Sequence, residues 1–136
     1  SGRLYAQLAA ALEDCPDCEA LFEIDVELAQ DTVVRPDVIV ICHRPEGDRI
    51  TRPPELIAEV VSPSTRRRDE QTKFELYRQE GVTWYLMLDP PRAQASLYRL
   101  IDGDYRKVSD LHDGEQDMEL SACTIRLDCS RLWERP

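Results

Sequence analysis

Three things are scarce in this sequence: long apolar runs, positive charge and evenly paired cysteines. No apolar run approaches the roughly 18 residues of a membrane-spanning helix, so no membrane partner is expected. The 17 Lys and Arg residues are outnumbered by 27 Asp and Glu residues, for a net charge of -10. That balance argues against a protein that coats nucleic acid or an anionic membrane, although it leaves room for one small basic patch.

The five cysteines are odd in number and irregularly spaced, which predicts free thiols in a reducing compartment, the cytoplasm, rather than a disulfide framework. Cys15 and Cys18 have the C-x-x-C spacing that also occurs in zinc sites and redox pairs. Zinc would need two more ligands, which Cys42 and the histidine after it supply only if the fold brings them close. The alternative is two cysteines in a turn after the first helix. Cys123 and Cys129, in apolar surroundings, are expected to be small core residues.

The length and composition predict one folded domain that spans residues 1–136. With 136 residues, of which 42% are hydrophobic, the chain can bury a core of its own. Hydrophobic residues at helical spacing predict a helix over residues 3–14, and residues 20–29 alternate like a strand with one face in water. Residues 33–42 and 55–61 are apolar on both faces, which is typical of buried central strands.

The second half of the sequence predicts one more helix, one more buried strand and a hairpin. The helix runs over residues 66–80 and ends at a glycine, and the buried strand covers residues 82–88. Residues 95–108 carry the Asp-Gly-Asp turn of a hairpin. The acidic residues 109–121 are expected to form a solvated loop, followed by a short strand over residues 124–128. Elements in this order predict a mixed α/β sheet.

Two carboxylates fall where a charge is costly. Asp37 lies within one doubly apolar segment and Glu59 within the other. A buried carboxylate must be paired, protonated or bound to a cation, because its desolvation is expensive. If the two strands are neighbours, both side chains can point into one cleft, and two hard oxygen ligands there suit magnesium. The alternative for Glu59 is a structural ion pair with an arginine of the following helix.

The predicted helix 66–80 carries charged residues toward the same place. Asp69 and Lys73 share a stripe with Leu76 and Tyr77, and these two must face the sheet, so the charged pair is drawn toward it. The alternative is an exposed Asp–Lys pair on the helix surface. Positive charge is unfavourable at a helix start. Three arginines occupy the start of this helix, and a phosphate or a carboxylate of the sheet would offset their charge. The alternative is a basic turn exposed to solvent. These arginines are Arg66, Arg67 and Arg68.

The same residues resemble the Uma-two family of restriction-endonuclease-like proteins. The most specific part is the string Glu59-Val60-Val61-Ser62-Pro63-Ser64-Thr65, which is followed at the family's spacing by a lysine and a Gly-Val pair. The tight signature covers residues 33–91, and residues 124–128 resemble the family's last strand. The matching positions outside the string are Pro36, Asp37, Asp69, Lys73, Tyr77, Gly81, Val82, Asp89 and Pro90.

This resemblance implies the PD-(D/E)xK nuclease superfamily. The implied fold is α/β with a restriction-endonuclease-like core, a mixed sheet flanked by helices in the order αβββαβ plus a C-terminal hairpin. The implied activity is magnesium- or manganese-dependent hydrolysis of nucleic-acid phosphodiester bonds, with DNA as the substrate and a homodimer needed to cut both strands. Asp37 and Glu59 correspond to the metal ligands, and Arg66, Arg67 and Arg68 are expected to contact phosphates.

The sequence departs from the superfamily at the catalytic lysine. That lysine normally lies two residues after the strand glutamate, where this chain has Val61. The family resemblance implies a lysine moved onto the helix, which Lys73 matches, and Asp69 is expected to hold it in place. A second departure is Trp84-Tyr85, where the family more often has the reverse order. This difference is expected to concern packing more than chemistry.

A competing hypothesis is a non-catalytic module, binding nucleic acid or protein, on a decayed nuclease fold. The net charge of -10 favours it, because non-specific DNA affinity depends on neutralising phosphates.

Overall fold

The computed structural model describes residues 2–29, 31–61 and 66–133, and for residues 66–69 the backbone alone. Within these ranges the chain forms two α-helices and ten strands. The helices are α1 (Gly2–Ala11) and α2 (Arg66–Glu80). The strands are β1 (Glu19–Phe22), β2 (Val26–Leu28), β3 (Thr32–Val34), β4 (Val38–Ile41), β5 (Leu56–Val60), β6 (Trp84–Asp89), β7 (Gln94–Ile101), β8 (Asp104–Leu111), β9 (Glu115–Glu119) and β10 (Thr124–Asp128). None of the described helices is long and apolar enough to cross a membrane.

A six-stranded sheet organises the molecule. Its strand order is β1-β4-β5-β6-β7-β8. All neighbours are antiparallel except β5 and β6, which are parallel because α2 returns the chain to the same end of the sheet. Two hairpins, β2–β3 and β9–β10, form separate two-stranded sheets. The predicted mixed α/β class is therefore confirmed.

Two predicted strands are each divided in the structure. Residues 20–29 break at Glu23, where a positive φ of 48° turns the chain between β1 and β2. Residues 33–42 break around Pro36, which has no N–H to donate to a ladder. As a result β3 pairs with β2 outside the main sheet, and only β4 is buried at every position.

The prediction of a solvated loop over residues 109–121 is wrong. β8 extends to Leu111, and β9 pairs with β10 in an antiparallel hairpin. The acidic side chains occupy the outer face of β9, where Arg126 forms ion pairs with Glu115 at 3.3 Å and with Asp117 at 2.8 Å. Met118, on the inner face of β9, is fully buried and packs into the core. A single apolar anchor was too weak a pattern to indicate a strand.

The sheet buries residues on both faces. Val38 and Val40 of β4 pack on the α1 side, whereas Ile39 and Ile41 pack on the α2 side. Both sets are fully buried because the side chains of a strand alternate between the faces. The odd-numbered positions of β4 and β5 therefore face α2, and Asp37 and Glu59 have that parity.

The prediction of free cysteines is wrong for four of the five. Disulfides join Cys15 to Cys123 and Cys18 to Cys42. The first bond spans 108 residues, so sequence spacing carried no sign of it. Cys129 is a buried free thiol, as expected of a small core residue, and burial raises its pKa to about 11.

Trp84 attaches the β9–β10 hairpin to the main sheet, and replacing it by phenylalanine tests that attachment. Its indole Nε1–H donates to the carbonyl of Glu119 at 2.9 Å, and its side chain is buried. We expect Trp84→Phe to lower the free energy of unfolding by about 1 kcal/mol, because a partly buried hydrogen bond is lost. Trp133→Phe is the matched control. Its indole donates to the carbonyl of His112 at 2.8 Å at an exposed site where water can substitute. Equal losses in urea denaturation would contradict the expectation.

Candidate active site

Asp37 and Glu59 lie side by side on the α2 face of the sheet. Val38 pairs with Ala58 in the antiparallel ladder of β4 and β5, so the next pair outward is Asp37 with Glu59. Directly opposed residues of neighbouring strands have their side chains on the same face. The Asp37 carboxylate is held there because its Oδ2 accepts the backbone N–H of Val60 at 2.8 Å. The two carboxylates that the sequence singled out therefore meet at one edge of the fold.

Glu59 is the buried charge of this site, with 6% of its surface exposed. Its Oε1 accepts the hydroxyl of Tyr77 at 3.1 Å, and its Oε2 accepts the hydroxyl of Tyr85 at 3.4 Å. The Nζ of Lys73 lies 3.2 Å from the same Oε2. Among the described side chains, the ion-pair partner of Glu59 is thus a lysine of α2, and the arginines at the start of that helix lie outside this description.

Among the described side chains, the site has a surplus of negative charge, because two carboxylates, Asp37 and Glu59, lie beside one amine, that of Lys73. Burial raises the pKa of Glu59 above the usual value for glutamate, and the nearby charge of Asp37 raises it further, while Lys73 and Tyr77 partly offset the rise. Burial and the charge of Glu59 also raise the pKa of Tyr85, so its hydroxyl remains a donor at neutral pH. A cation would relieve this surplus. Two adjacent carboxylates are the hard oxygen donors that magnesium or manganese accepts, so the residues fit a divalent ion.

Lys73 reaches Glu59 because of the way helix α2 packs against the sheet. Tyr77, one turn further along, is fully buried against the sheet and fixes the orientation of the helix. Phe74 adds a second contact, since its ring lies 5.2 Å from that of Tyr98 and 5.1 Å from that of Tyr105. Lys73 itself keeps 34% of its side chain exposed. It therefore connects the buried Glu59 with solvent.

Four of the predicted site residues lie outside the part of the chain whose side chains the structure describes. They are Arg66, Arg67, Arg68 and Asp69. Their backbone forms the first turn of α2, as predicted. Their contacts with phosphate and with Lys73 stay predictions.

Sequence reasoning missed the hydrogen bonds of Tyr77, which it placed facing the sheet without a role, and of Tyr85. The Trp84-Tyr85 pair was expected to matter more for packing than for chemistry, yet Tyr85 donates to Glu59. The register of β5 and β6 explains why: Glu59 pairs with Met87, and Tyr85 shares the face of Met87 two residues earlier. Trp84 points to the opposite face and packs with α1. The alternation of side chains along β6 indicates that Tyr85 and Met87 share a face, but only the register with β5 shows that this face carries Glu59.

The comparisons with known proteins agree with this geometry. A family model for Uma2, described as "Putative restriction endonuclease", matches residues 1–127. The fold is similar to the crystal structure of a putative nuclease belonging to DUF820 from Anabaena variabilis. That similarity has a TM-score of 0.73 at 13% sequence identity and covers 96% of this chain and 78% of the other. No curated protein matches the sequence.

At that level of identity the structural match shows the fold alone, and it confirms the nuclease-like core predicted for the sheet. The family match spans most of the chain and confirms the resemblance carried by the Glu59–Thr65 string. The chain therefore belongs to the Uma2 family, described as putative restriction endonucleases.

Proposed function

We propose that this protein is a divalent-metal-dependent endonuclease that hydrolyses phosphodiester bonds of DNA in the cytoplasm. The observation that carries the assignment is a buried glutamate with a raised pKa, placed beside a second carboxylate and 3.2 Å from a lysine amine. Carboxylates whose pKa is raised by burial beside a specific charge partner cluster at functional sites. The family membership and the nuclease-like fold support the same reaction class.

Asp37 and Glu59 are the residues that hold the ion, magnesium or manganese. When bound, such an ion polarises a phosphate and lowers the pKa of a water molecule. Tyr77 and Tyr85 are positioning residues, since their hydroxyls hold the two oxygens of Glu59 in one orientation. Lys73 orients the attacking water or stabilises the charge that develops on the phosphate.

The substrate is bound by groups outside this cluster. Arg66, Arg67 and Arg68 contact phosphates at the start of α2, and Asp69 supports Lys73 one turn before it. A homodimer supplies the second site needed to cut both strands of a duplex.

Asp37→Asn tests the metal site directly. We expect the variant to bind magnesium or manganese at least about tenfold more weakly than the native chain, a loss of about 1.4 kcal/mol, because a neutral amide replaces one anionic ligand. Calorimetric titration measures this without any nucleic acid. Asp25→Asn is the matched control, since Asp25 is exposed and pairs only weakly with Arg35 at 3.5 Å. Identical affinities in the native chain and both variants would remove Asp37 from the site.

A cleavage assay on plasmid, single-stranded DNA and RNA separates the endonuclease from the non-catalytic module. The rival is favoured by Val61 at the usual lysine position and by the three donors that already contact Glu59. Cleavage that requires added metal and stops with a chelator supports the endonuclease. Binding of nucleic acid without cleavage, at every metal concentration, supports the rival.

The three arginines at the start of α2 make a prediction about salt. If each contacts one phosphate, replacing Arg66, Arg67 and Arg68 by glutamine flattens the log–log slope of DNA affinity against salt by up to about three. Replacing three exposed arginines elsewhere in the chain is the matched control and leaves the slope unchanged. These are Arg44, Arg106 and Arg131. An unchanged slope in the first triple variant would mean that its arginines are merely solvated.

A further inference from the structure

Four of the five cysteines meet at one end of the main sheet. Cys15 and Cys18 lie in the turn between α1 and β1, Cys42 directly follows β4, and Cys123 lies in the turn between β9 and β10. The sulfur atoms of Cys15, Cys18 and Cys123 all lie within 4.8 Å of one another. The sulfur of Cys42 is bonded to that of Cys18. Four sulfurs from three chain segments therefore share one small volume.

We propose that these four cysteines, when reduced, bind one Zn²⁺ ion as a closed tetrathiolate site. Four sulfurs at about 2.3 Å from a tetrahedral zinc ion lie about 3.8 Å from one another. Three of the sulfurs already lie within 4.8 Å of one another, and the fourth, that of Cys42, is bonded to the sulfur of Cys18, so side-chain shifts after reduction can reach that geometry. The two-residue spacing of Cys15 and Cys18 is that of a zinc ligand pair. Four protein ligands leave no open position, so the ion is structural.

The local backbone already has a shape that suits the first ligand pair. The N–H of Cys15 donates to the carbonyl of Leu12 at 2.9 Å, and the N–H of Cys18 donates to the carbonyl of Cys15 at 3.0 Å. These bonds fix the turn whether or not the sulfurs are oxidised. Cys18 and Cys42 also line a cavity of about 340 Å³ together with His43, which gives an ion a route to the sulfurs. Within the described residues, the buried Nε2 of His43 has no hydrogen-bond partner and is a ready donor to a thiolate.

The disulfides and the zinc site are two states of the same ligands. Each S–S bond is cleaved by one dithiol, which supplies two electrons and becomes a disulfide itself. Two dithiols thus convert the Cys15–Cys123 and Cys18–Cys42 bonds into four thiols. One Zn²⁺ then displaces four protons and stays divalent throughout. A reducing compartment therefore favours the metal form, which reconciles the four clustered cysteines with a cytoplasmic protein.

This site is separate from the proposed active site. β4 lies between them, with Asp37 before its first residue and Cys42 after its last. Five residues of extended chain separate the two positions by about 16 Å. The ion would join the α1–β1 turn, the end of β4 and the β9–β10 hairpin, so its effect is on stability rather than on the reaction. Failure of either proposal leaves the other standing.

Zinc titration of the reduced chain tests the site. The full chain is reduced with dithiothreitol, freed of the reductant without oxygen, and titrated with Zn²⁺ against a chromophoric chelator. We expect one zinc ion per chain and a melting temperature that rises with free zinc. With Co²⁺ as the probe, the native chain should show the visible absorption of tetrahedral cobalt with sulfur-to-cobalt charge transfer.

Cys123→Ser and Cys129→Ser are the matched pair of variants. We expect Cys123→Ser to weaken zinc binding at least about a hundredfold, because loss even of a group that only supports a ligand costs up to that much. Cys129→Ser should bind like the native chain, since this thiol lies outside the cluster. If the serine variant at 123 is unfolded, the cobalt spectrum of the reduced native chain decides. No zinc binding, or octahedral cobalt, in the reduced native chain would overturn the proposal.

Discussion

Replacing Lys73 by alanine is expected to lower the rate of metal-dependent hydrolysis by about a hundredfold or more. Loss of one preorganised group that stabilises developing charge typically has an effect of this size. Val61 occupies the usual lysine position and cannot orient water, so this chain has no lysine there to take over the role. We expect the loss in kcat rather than KM. The Lys73 amine contacts Glu59 at the proposed metal site, whereas DNA binding is assigned to the three arginines.

Lys107→Ala is the matched control, because Lys107 is the other lysine of the chain. It lies on β8, where its Nζ pairs with Asp110 at 2.8 Å rather than with Asp37 or Glu59. We expect unchanged cleavage. Lys73→Ala will also lose some stability, since Glu59 stays buried without its cation. A melt must show that the variant is folded at the assay temperature. Native-like cleavage by the folded Lys73→Ala variant would exclude the role proposed for this amine.

The parts of the fold that were predicted correctly have local signals. α2 matches its predicted bounds because a glycine follows it, and Gly81 takes the positive φ of 81° that ends a helix and that other residues rarely adopt. β10 likewise matches residues 124–128. In each case the information lies within a few residues of the element.

The parts that were missed depend on distant partners. β9 is a strand because β10 pairs with it and Arg126 offsets its acidic face, neither of which shows in its own composition. The cysteine cluster similarly depends on the fold bringing Cys123 back to the turn after α1. Sequence periodicity reports the faces of an element but not the element that covers each face.

In the candidate site, too, the residues with a local signal were predicted and the one that depends on strand register was missed. Asp37, Glu59 and Lys73 were identified because a charge within an apolar pattern is conspicuous, and the structure brings all three together. The hydroxyl of Tyr85 reaches Glu59 only through the register of β5 and β6. An aromatic residue in a buried strand looks like core until its polar end is seen to meet a carboxylate. The site therefore has more hydrogen-bond support than the sequence indicated.

Glu59→Gln should greatly slow hydrolysis yet raise the melting temperature at neutral pH. The rate should fall by about a thousandfold, the upper range for loss of one essential electrostatic group, because the amide cannot serve as an anionic ligand. The stability gain has a separate cause. Burial raises the pKa of Glu59 in the folded chain, so the ionised form is disfavoured there, and glutamine removes that charge.

The pH dependence has a definite sign. Because the pKa of Glu59 is higher in the folded than in the unfolded chain, its contribution to stability is fully present below about pH 4.3, the unfolded value. It is lost as the pH rises through the folded-state pKa. The melting temperature of Glu59→Gln should thus exceed that of the native chain at neutral pH and converge with it in acid. Glu75→Gln is the control: this exposed glutamate pairs with Arg78, and its loss should change stability by only about 0–1 kcal/mol.

A bound cation should reverse the order of the melting temperatures of the native chain and Glu59→Gln. Magnesium or manganese stabilises the ionised form of Glu59, so added metal should raise the melting temperature of the native chain and leave that of Glu59→Gln nearly unchanged. Melting curves at several pH values, with and without metal, measure both effects on the same samples. A variant less stable than the native chain at neutral pH, without metal, would show that the pair with Lys73 at 3.2 Å outweighs the cost of burial. The glutamate would then serve the fold, with no need of an ion.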